Sequence, residues 1–426
     1  MFDYIPYILF IIILIIFIVY AYIRVKFGFW ALQPVFHVYD IGYYFYKPGI
    51  VEQELPQKNK YVNFKNIETN LFTKLSKNQV KKVVDFIRLH YLKNKDNIFA
   101  PKEENIVPYF RGHNDKSFFT FYNEDILLYD LKKGTTIPET KIISVITSRP
   151  LHVVINNCNN PNTVFDVYYV DYLCVDKLYR KKGIAPQMIQ THHYNQSHLN
   201  KNICVSLFKR EEELTGIVPL CVYSTYGFSV NKWTKPHVLH PSYKLLEITK
   251  HNFHFLHDFI KNNSNNFDIL ITNEITNIIE LIQTKNIFVY VILDNNINNN
   301  NNDNNDTNTG DNVNGNNKTD NIIAAYFYRK TCVFVEKDME VLTCIASIRD
   351  SDCDNDIFIQ GFKISFWKIA AENYFGFCAI ENISHNNIII DNLKIKTKPL
   401  IVSPTAYFFY NFIYSTIPSQ KVFILS

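Results

Sequence analysis

Several features that would settle a protein's class are missing from this sequence. It has 8 cysteines in 426 residues, with no C-x-x-C pair and no clustering, which excludes a disulfide-stapled scaffold and argues against a structural zinc site. Several of them lie in apolar, strand-like runs, as buried thiols do, and this suits a reducing compartment. A net charge of +4, with 20% of residues charged, leaves no concentrated basic face, so no nucleic-acid partner is expected. His192 and His193 have no partner at ligand spacing; they read as surface or phosphate-side residues, and no metal is expected. From Tyr4 to Ile23 there is no charge at all over about 20 residues, the length a helix needs to span a bilayer. Tyr4, Tyr7, Tyr20 and Tyr22 at its two ends suit the interfaces. Positive charge is absent before this run, which is also long for a signal-peptide core, so a cleaved signal is disfavoured. Arg24 and Lys26 follow it and only Asp3 precedes it. The chain should therefore be single-pass, with its main body in the cytosol.

What is present is 47% hydrophobic, enough for two cored domains. We expect an anchor with its flanks over 1–26, one domain over 27–240 and a second over 241–426, divided at a polar stretch containing Pro236 and Pro241. Each half follows a coarse α/β plan. A helix is expected near 76–91, from the spacing of Val80, Val83, Val84, Ile87 and Tyr91. Strands are expected over 142–147, 152–155 and 167–175. The second half should hold helices near 250–261 and 274–284, a strand over 287–293, and a helix over 361–374. The Asn/Asp tract of 295–321 has too little apolar content to order itself and should be a disordered hairpin tip.

The centre of the sequence is the run from Val170 to Ile189. A strand ending Tyr172-Leu173-Cys174-Val175 passes through Arg180-Lys181-Lys182-Gly183 into a helix with Ile184, Met188 and Ile189 on one face. Gly183 permits a close backbone approach, and the new helix terminus presents unpaired N–H groups to an anion. Arg180-x-x-Gly183-x-Ala185 resembles the CoA-pyrophosphate turn of GNAT acyl-CoA transferases; a basic surface turn is the plainer reading.

The longer string, Tyr172-Leu173-Cys174-Val175 before the turn and Ile184-Ala185-Pro186 after it, resembles the F-L-C-V … V-A-P-x-L-I of the N-myristoyltransferases. Other strings agree. Phe29-Trp30-Ala31-Leu32-Gln33-Pro34-Val35 is similar to that family's F-W-x-T-Q-P-V, and Tyr91 to Phe99 to its N-Y-V-E-D-D-D-N-M-F. The chain closes on Tyr407-Phe408-Phe409-Tyr410-Asn411 and then Lys421-Val422-Phe423-Ile424-Leu425-Ser426, similar to Y-Y-L-Y-N-W, K-V and a short apolar finish. The likeness spans roughly residues 27–426. It implies tandem GNAT-like repeats behind an N-terminal transmembrane helix.

The resemblance also implies roles. Phe29, Trp30, Val175, Arg180, Lys181, Lys182, Gly183, Ile184, Ala185 and Pro186 would bind myristoyl-CoA, with no metal required. Tyr91, Asp96, Asn97, Phe99, Tyr122 and Tyr223 would line the groove for a protein or peptide with an N-terminal glycine. The Tyr172 and Leu173 amides would form the oxyanion hole, and the terminal carboxylate of Ser426 would take the proton from the glycine amine. That transfer is uphill by roughly 4–5 pKa units in water, about 6 kcal/mol, and burial of both groups narrows the gap.

The likeness has gaps. Lys93-Asn94-Lys95 stands where the family has an acidic run. Ser224-Thr225-Tyr226 replaces a peptide-contacting histidine segment, and Val402-Ser403-Pro404-Thr405 replaces Gly-Asp-Gly. Basic peptides should be less favoured. Two other readings stay open: a GNAT N-acetyltransferase, and a non-catalytic scaffold for acyl-CoA or lipidated proteins.

Overall fold

The computed structural model describes residues 4–92, 97–130, 134–156, 163–212, 216–231, 233–295, 321–335 and 339–426. Its first half runs α1 (Ile5–Lys26), β1 (Gly49–Ile50), β2 (Ile67–Leu71), α2 (Lys77–His90), β3 (Asn97–Phe99), α3 (Glu103–Ile106), β4 (Phe118–Asp130), β5 (Thr135–Ile155), β6 (Thr163–Val175), α4 (Ile184–Leu199), β7 (Val205–Glu211) and β8 (Cys221–Ser229). The second half adds β9 (Tyr243–Glu247), α5 (Phe253–Asn262), β10 (Ile269–Thr272), α6 (Ile275–Gln283), β11 (Ile287–Asp294), β12 (Asn321–Val335) and β13 (Met339–Arg349). It ends with α7 (Asn355–Asn373), β14 (Phe375–Glu381), α8 (Asn386–Lys396), β15 (Ile401–Tyr410), β16 (Phe412–Ile413) and β17 (Val422–Ile424).

One sheet carries nearly all the strands, in the order β17-β10-β5-β6-β7-β15-β8-β14-β13-β12-β11-β9. It runs unbroken across the 240/241 boundary, because β15 inserts between β7 and β8, and β8 pairs with β14. Each half contains a strand–helix–strand crossover closed by a parallel pair, β6-α4-β7 and β13-α7-β14. Parallel pairing requires such a crossover, and helix on sheet buries both apolar faces.

Local chemistry explains most element boundaries. α2 begins at Ser76, whose Oγ accepts the Gln79 N–H while the Gln79 side chain accepts the Ser76 N–H, a capping box. It buries Val83, Val84, Phe86 and Ile87, the stripe expected from the spacing. The two strands expected over 142–155 are a single strand, β5. Its outer neighbour is β4 as far as Ser148 and β10 from His152 onward. Pro150 falls in that gap, where its missing N–H breaks no ladder bond. The 100–118 segment reads from the sequence as a loop insertion relative to the N-myristoyltransferases, yet it buries Ile106, Tyr109 and Phe110 in the main core. The ends of β11 and β12 pair, Asp294 opposite Asn321, while the expectation of disorder for the Asn tract concerns residues that, between 296 and 320, lie outside the described ones.

α1 is 22 residues long, and its Ile5–Ile23 portion is long and apolar enough to cross a membrane, with none of it buried against the body. Every cysteine among the described residues is a free thiol.

The second-half core depends on the close approach of α7 to the sheet at Gly361. A Cβ there would lie 2.3 Å from Ile292 Cδ1 and 2.6 Å from the Tyr326 hydroxyl, which already donates to the Phe358 carbonyl. Gly361→Ala is expected to lower stability by about 1–3 kcal/mol through overpacking, read from the midpoint of chemical denaturation.

Candidate functional site: the opening between two splayed strands

β6 and β7 pair only from Val167–Val205 to Val170–Phe208 and then part. Beyond that point β6 keeps β5 on one side, and β7 continues to Glu211 beside β15. Residues 171–175 therefore face 209–211 across an opening. At its base β6 carries a bulge: Thr147 pairs with Asp171 but Val145 pairs with Cys174. Tyr172 has φ 49° there, a left-handed conformation that a non-glycine residue holds only under constraint. The bulge turns the Tyr172–Leu173 backbone out of the ladder. The Tyr172 N–H donates to Asp171 Oδ1 at 2.8 Å. The other Asp171 oxygen lies 3.4 Å from Arg149 Nη1, and the buried Arg149 guanidinium packs on the Tyr109 and Tyr169 rings.

The far wall is a charge cluster, buried at Glu381 and largely so at Lys209, and exposed at Glu211. Lys209 Nζ lies 3.0 Å from Glu381 Oε1 and 3.1 Å from Glu211. Glu381 also accepts the Tyr223 hydroxyl at 2.5 Å and lies 3.5 Å from Arg329 Nη2. Arg329 Nη1 donates to the Ser426 main-chain oxygen at 3.1 Å, and the Tyr407 hydroxyl lies 3.4 Å from Ser426 Oγ. Ser426 is 3% exposed. It is held there because β17 adds in parallel to β10 and the Leu425 N–H donates to the Ile271 carbonyl.

Electrostatics ties the two walls together. Burial would lower the Lys209 ammonium, but Glu381 and Glu211 outweigh it and hold it above its ordinary value. Lys209, in turn, is the main reason the Glu211 carboxyl sits below its usual range. Burial drives the Tyr172 hydroxyl far upward, with Asp171 adding to the shift and Arg149 and Arg329 opposing it. Arg329, which holds Ser426, thus also acts on the Tyr172 hydroxyl.

The expected groove residues divide. Tyr91 packs edge-on to Tyr172 at 5.5 Å and against Phe99 at 5.4 Å. Tyr223 joins through Glu381. Asn97 sits on β3 opposite Val335. Tyr122 lies elsewhere, in the cluster of Ile67, Ile146, Ile184 and Met188 under α4. Asp96 and the Lys93-Asn94-Lys95 run lie outside the described residues.

The basic turn leads out of the same opening. Gly183, φ 74° and ψ 14°, is the N-cap of α4 with no side-chain cap, and a Cβ there would meet nothing within 4 Å. The Gly183, Ile184 and Ala185 N–H groups begin the helix, Pro186 contributes none, and Lys181 and Lys182 are exposed beside them. Arg180 points elsewhere. Its Nε donates to the Val175 carbonyl at 3.2 Å and its Nη2 to the His90 carbonyl at 2.5 Å, so it clamps the turn to the C-terminus of α2. The corresponding α7 terminus has the opposite character: Asp354 caps it by accepting the Asp356 N–H, with Asp350 and Asp352 nearby in sequence.

Phe29 reaches α4 indirectly, and Trp30 reaches β7. Phe29 packs edge-on to Tyr61 at 5.1 Å, and the following Asn63 bonds to Gln187 and Thr191. Trp30 stacks on Phe208 at 6.0 Å, and Phe208 stacks on Phe408 at 5.1 Å. Beside them an open cavity of about 480 Å³ is lined by Gln33, Pro34, Glu52, Gln190, His193 and Tyr410, among others. His192 and His193, expected at the surface, are buried; His192 Nδ1 pairs with Thr120 Oγ1 at 2.7 Å. Burial lowers their pKa values to about 3 and about 4. α4 buries a polar seam, also including Gln196 bonded to Ser148, which apolar periodicity does not reveal.

Sequence reasoning missed Arg329, Glu381, Lys209, Asp171 and Arg149. Their signal is a charge inside an otherwise apolar strand, as in Tyr326-Phe327-Tyr328-Arg329. Among the described residues, no group of three or more His, Cys, Asp or Glu is placed to hold a metal ion. Asp171→Ala would leave Arg149 an unpaired buried cation and is expected to destabilise the fold by about 3 kcal/mol, measured by urea titration.

No known family profile matches the sequence, and no curated protein matches it. Solved structures do match in fold. A crystal structure of Saccharomyces cerevisiae N-myristoyltransferase with bound myristoyl-CoA superposes with a TM-score of 0.65 at 12% identity, covering 92% of this chain and 94% of that one. Another with bound myristoyl-CoA gives 0.66 at 13% identity, covering 92% and 89%. A tandem GNAT protein from the clavulanic acid biosynthesis pathway gives 0.50 at 7% identity, covering 82% of this chain and all of that one. The chain thus has a mixed α/β fold of the tandem GNAT and N-myristoyltransferase type, preceded by a long apolar helix.

Proposed function

We propose that the chain is a membrane-anchored, acyl-CoA-dependent N-acyltransferase that moves a fatty acyl group, myristoyl, onto the N-terminal glycine amine of a protein. The observation carrying this reading is the contrast between the two crossovers. The α4 terminus is uncapped, open and flanked by Lys181 and Lys182, whereas the α7 terminus is capped by a carboxylate. A pyrophosphate suits the first and is repelled by the second. From α4 the acyl-CoA would run into the β6/β7 opening, with Phe29 and Trp30 on the neighbouring segment. α1 would place the body on the cytosolic side of the membrane.

The thioester carbonyl would then lie at the bulge. Its Leu173 N–H stabilises the tetrahedral oxyanion, and the Tyr172 N–H joins once Asp171 turns from it toward Arg149. Removing one such donor typically costs about 3 kcal/mol in the transition state. The Ser426 carboxylate accepts a proton from the glycine ammonium. The amine nitrogen bonds to the carbonyl carbon, the C–S bond breaks, the second amine proton passes to the departing sulfur so that CoA leaves as the thiol, and the Ser426 carboxyl returns its proton to water. The two walls together hold three cations (Lys209, Arg329, Arg149) and four anions (Glu381, Glu211, Asp171 and the Ser426 carboxylate). That excess of negative charge favours an incoming ammonium.

Full-length protein in nanodiscs, given labelled myristoyl-CoA and a panel of glycine-initiated peptides, is expected to release CoA and form the myristoyl-peptide amide. A Gly-Ser-Glu extension after Ser426 should reduce kcat at least about 100-fold, the scale of a lost catalytic base, while acyl-CoA binding persists. Unaltered activity in the extended chain, with acetyl-CoA as the better donor, would favour the acetyltransferase reading; binding without CoA release across the panel would favour the scaffold. Lys181→Glu with Lys182→Glu should raise KM for acyl-CoA about tenfold at unchanged kcat.

A further inference from the structure

Fifteen residues beyond the end of the membrane-length helix at Lys26, the structure presents a bare aromatic platform that begins at Ile41. Between Ile41 and Ile50 the sequence is Ile-Gly-Tyr-Tyr-Phe-Tyr-Lys-Pro-Gly-Ile, with Lys47 its sole charge. Ile41 is 75% exposed and Phe45 82%, with Tyr44 and Tyr46 similarly open. The rings form one cluster: Phe36 contacts Tyr43 at 6.1 Å and Tyr46 at 5.4 Å, and Tyr43 contacts Tyr44 at 5.3 Å. A soluble surface seldom leaves such a group uncovered unless it binds something.

The platform is fixed to the body and cannot fold away. The Tyr43 hydroxyl donates to the Tyr414 carbonyl at 3.0 Å, the Val218 N–H donates to the Phe36 carbonyl, and β1 pairs with β16 just after it. Nor is there slack between helix and body. The Phe27 N–H donates to the Ile23 carbonyl and the Ala31 N–H to the Phe27 carbonyl, while Trp30 is already stacked on Phe208. If α1 crosses a bilayer from Ile5 to Ile23, the body begins about two helical turns, ~10 Å, beyond its surface, at Trp30.

We propose that the Ile41–Tyr46 platform rests in the headgroup layer of the bilayer that α1 crosses and fixes the orientation of the body against it. The inference rests on the membrane-spanning reading of α1. Tyrosine and phenylalanine suit that layer, being apolar in body and, for tyrosine, polar at the tip. Lys47 adds attraction to an anionic cytosolic leaflet. A lipid surface held this close by the chain is at a far higher effective concentration than any free protein partner.

The test uses full-length protein in vesicles of phosphatidylcholine and phosphatidylserine, with Cys158 and Cys204 changed to serine. Single spin labels are placed through Ile13→Cys, Ile41→Cys or Phe45→Cys, and collision with oxygen is compared with collision with a water-soluble nickel chelate. The expected result is oxygen-dominated collision at all three positions, deepest at 13 and shallow at 41 and 45. A label at 13 inside lipid, with labels at 41 and 45 fully open to nickel, would overturn the platform and leave the span intact. Labels at 41 and 45 shielded from both reagents would mean a protein partner or second copy covers the face, and would also overturn it. A label at 13 open to nickel would remove the span, and the platform with it.

Discussion

The parting of β6 from β7 after Val170 is the constraint from which the rest of the site follows. A parallel ladder that stops mid-sheet leaves backbone groups to be satisfied by something else. On the β6 wall the bulge at Tyr172 takes part of that load, with Asp171 accepting the Tyr172 N–H. On the β7 wall β15 pairs along the opposite edge from Ser206 to Glu211, which keeps β7 in place beyond the split and sets Tyr407 opposite Lys209. The opening ends at the uncapped start of α4, because the chain leaving β6 must turn at once to build the crossover helix.

Burial of Glu381, Lys209 and Arg149 makes charge costly, and the structure answers with mutual pairing. Lys209, Arg329, Glu381 and the Ser426 main-chain oxygen form one connected set, and Asp171 with Arg149 forms another. Buried pairs of this sort add little net stability, since desolvation offsets the attraction, yet losing one partner is expensive. Their more direct consequence here is a polarised wall facing the bulge, on which a cationic amine can dock. The proposed substrate chemistry follows from that polarity more than from any one residue.

Much of the fold was legible from periodicity and turn chemistry. The α2 stripe with its Ser76 cap, the β6 strand, and the start of α4 at Gly183 lie where spacing placed them. Legibility failed where tertiary partners decide. The strands expected over 142–147 and 152–155 are one strand, because Pro150 occupies the stretch of β5 between its β4 and β10 partners. Tyr109 and Phe110 looked like loop residues, but they fill the space beside Arg149. The α4 helix was read by its apolar face, although it also buries His192, His193 and Gln196. Of the site, the Gly183 turn and the buried Ser426 tail were visible in the sequence, whereas the bulge at Tyr172 was not, since nothing in a Val- and Tyr-rich strand marks where its pairing slips. The Arg329–Glu381–Lys209 set was not, because its members are far apart in the chain and a lone charge in a strand does not name its partner.

The most direct test of the acyl-CoA reading is a crystal structure of the chain with a non-hydrolysable thioether analogue of myristoyl-CoA. The account predicts the pyrophosphate on the Gly183–Ala185 N–H groups, beside Lys181 and Lys182, and the carbonyl oxygen about 3 Å from the Leu173 N–H. An analogue bound away from the β6/β7 opening, or absent at saturating concentration, would contradict it.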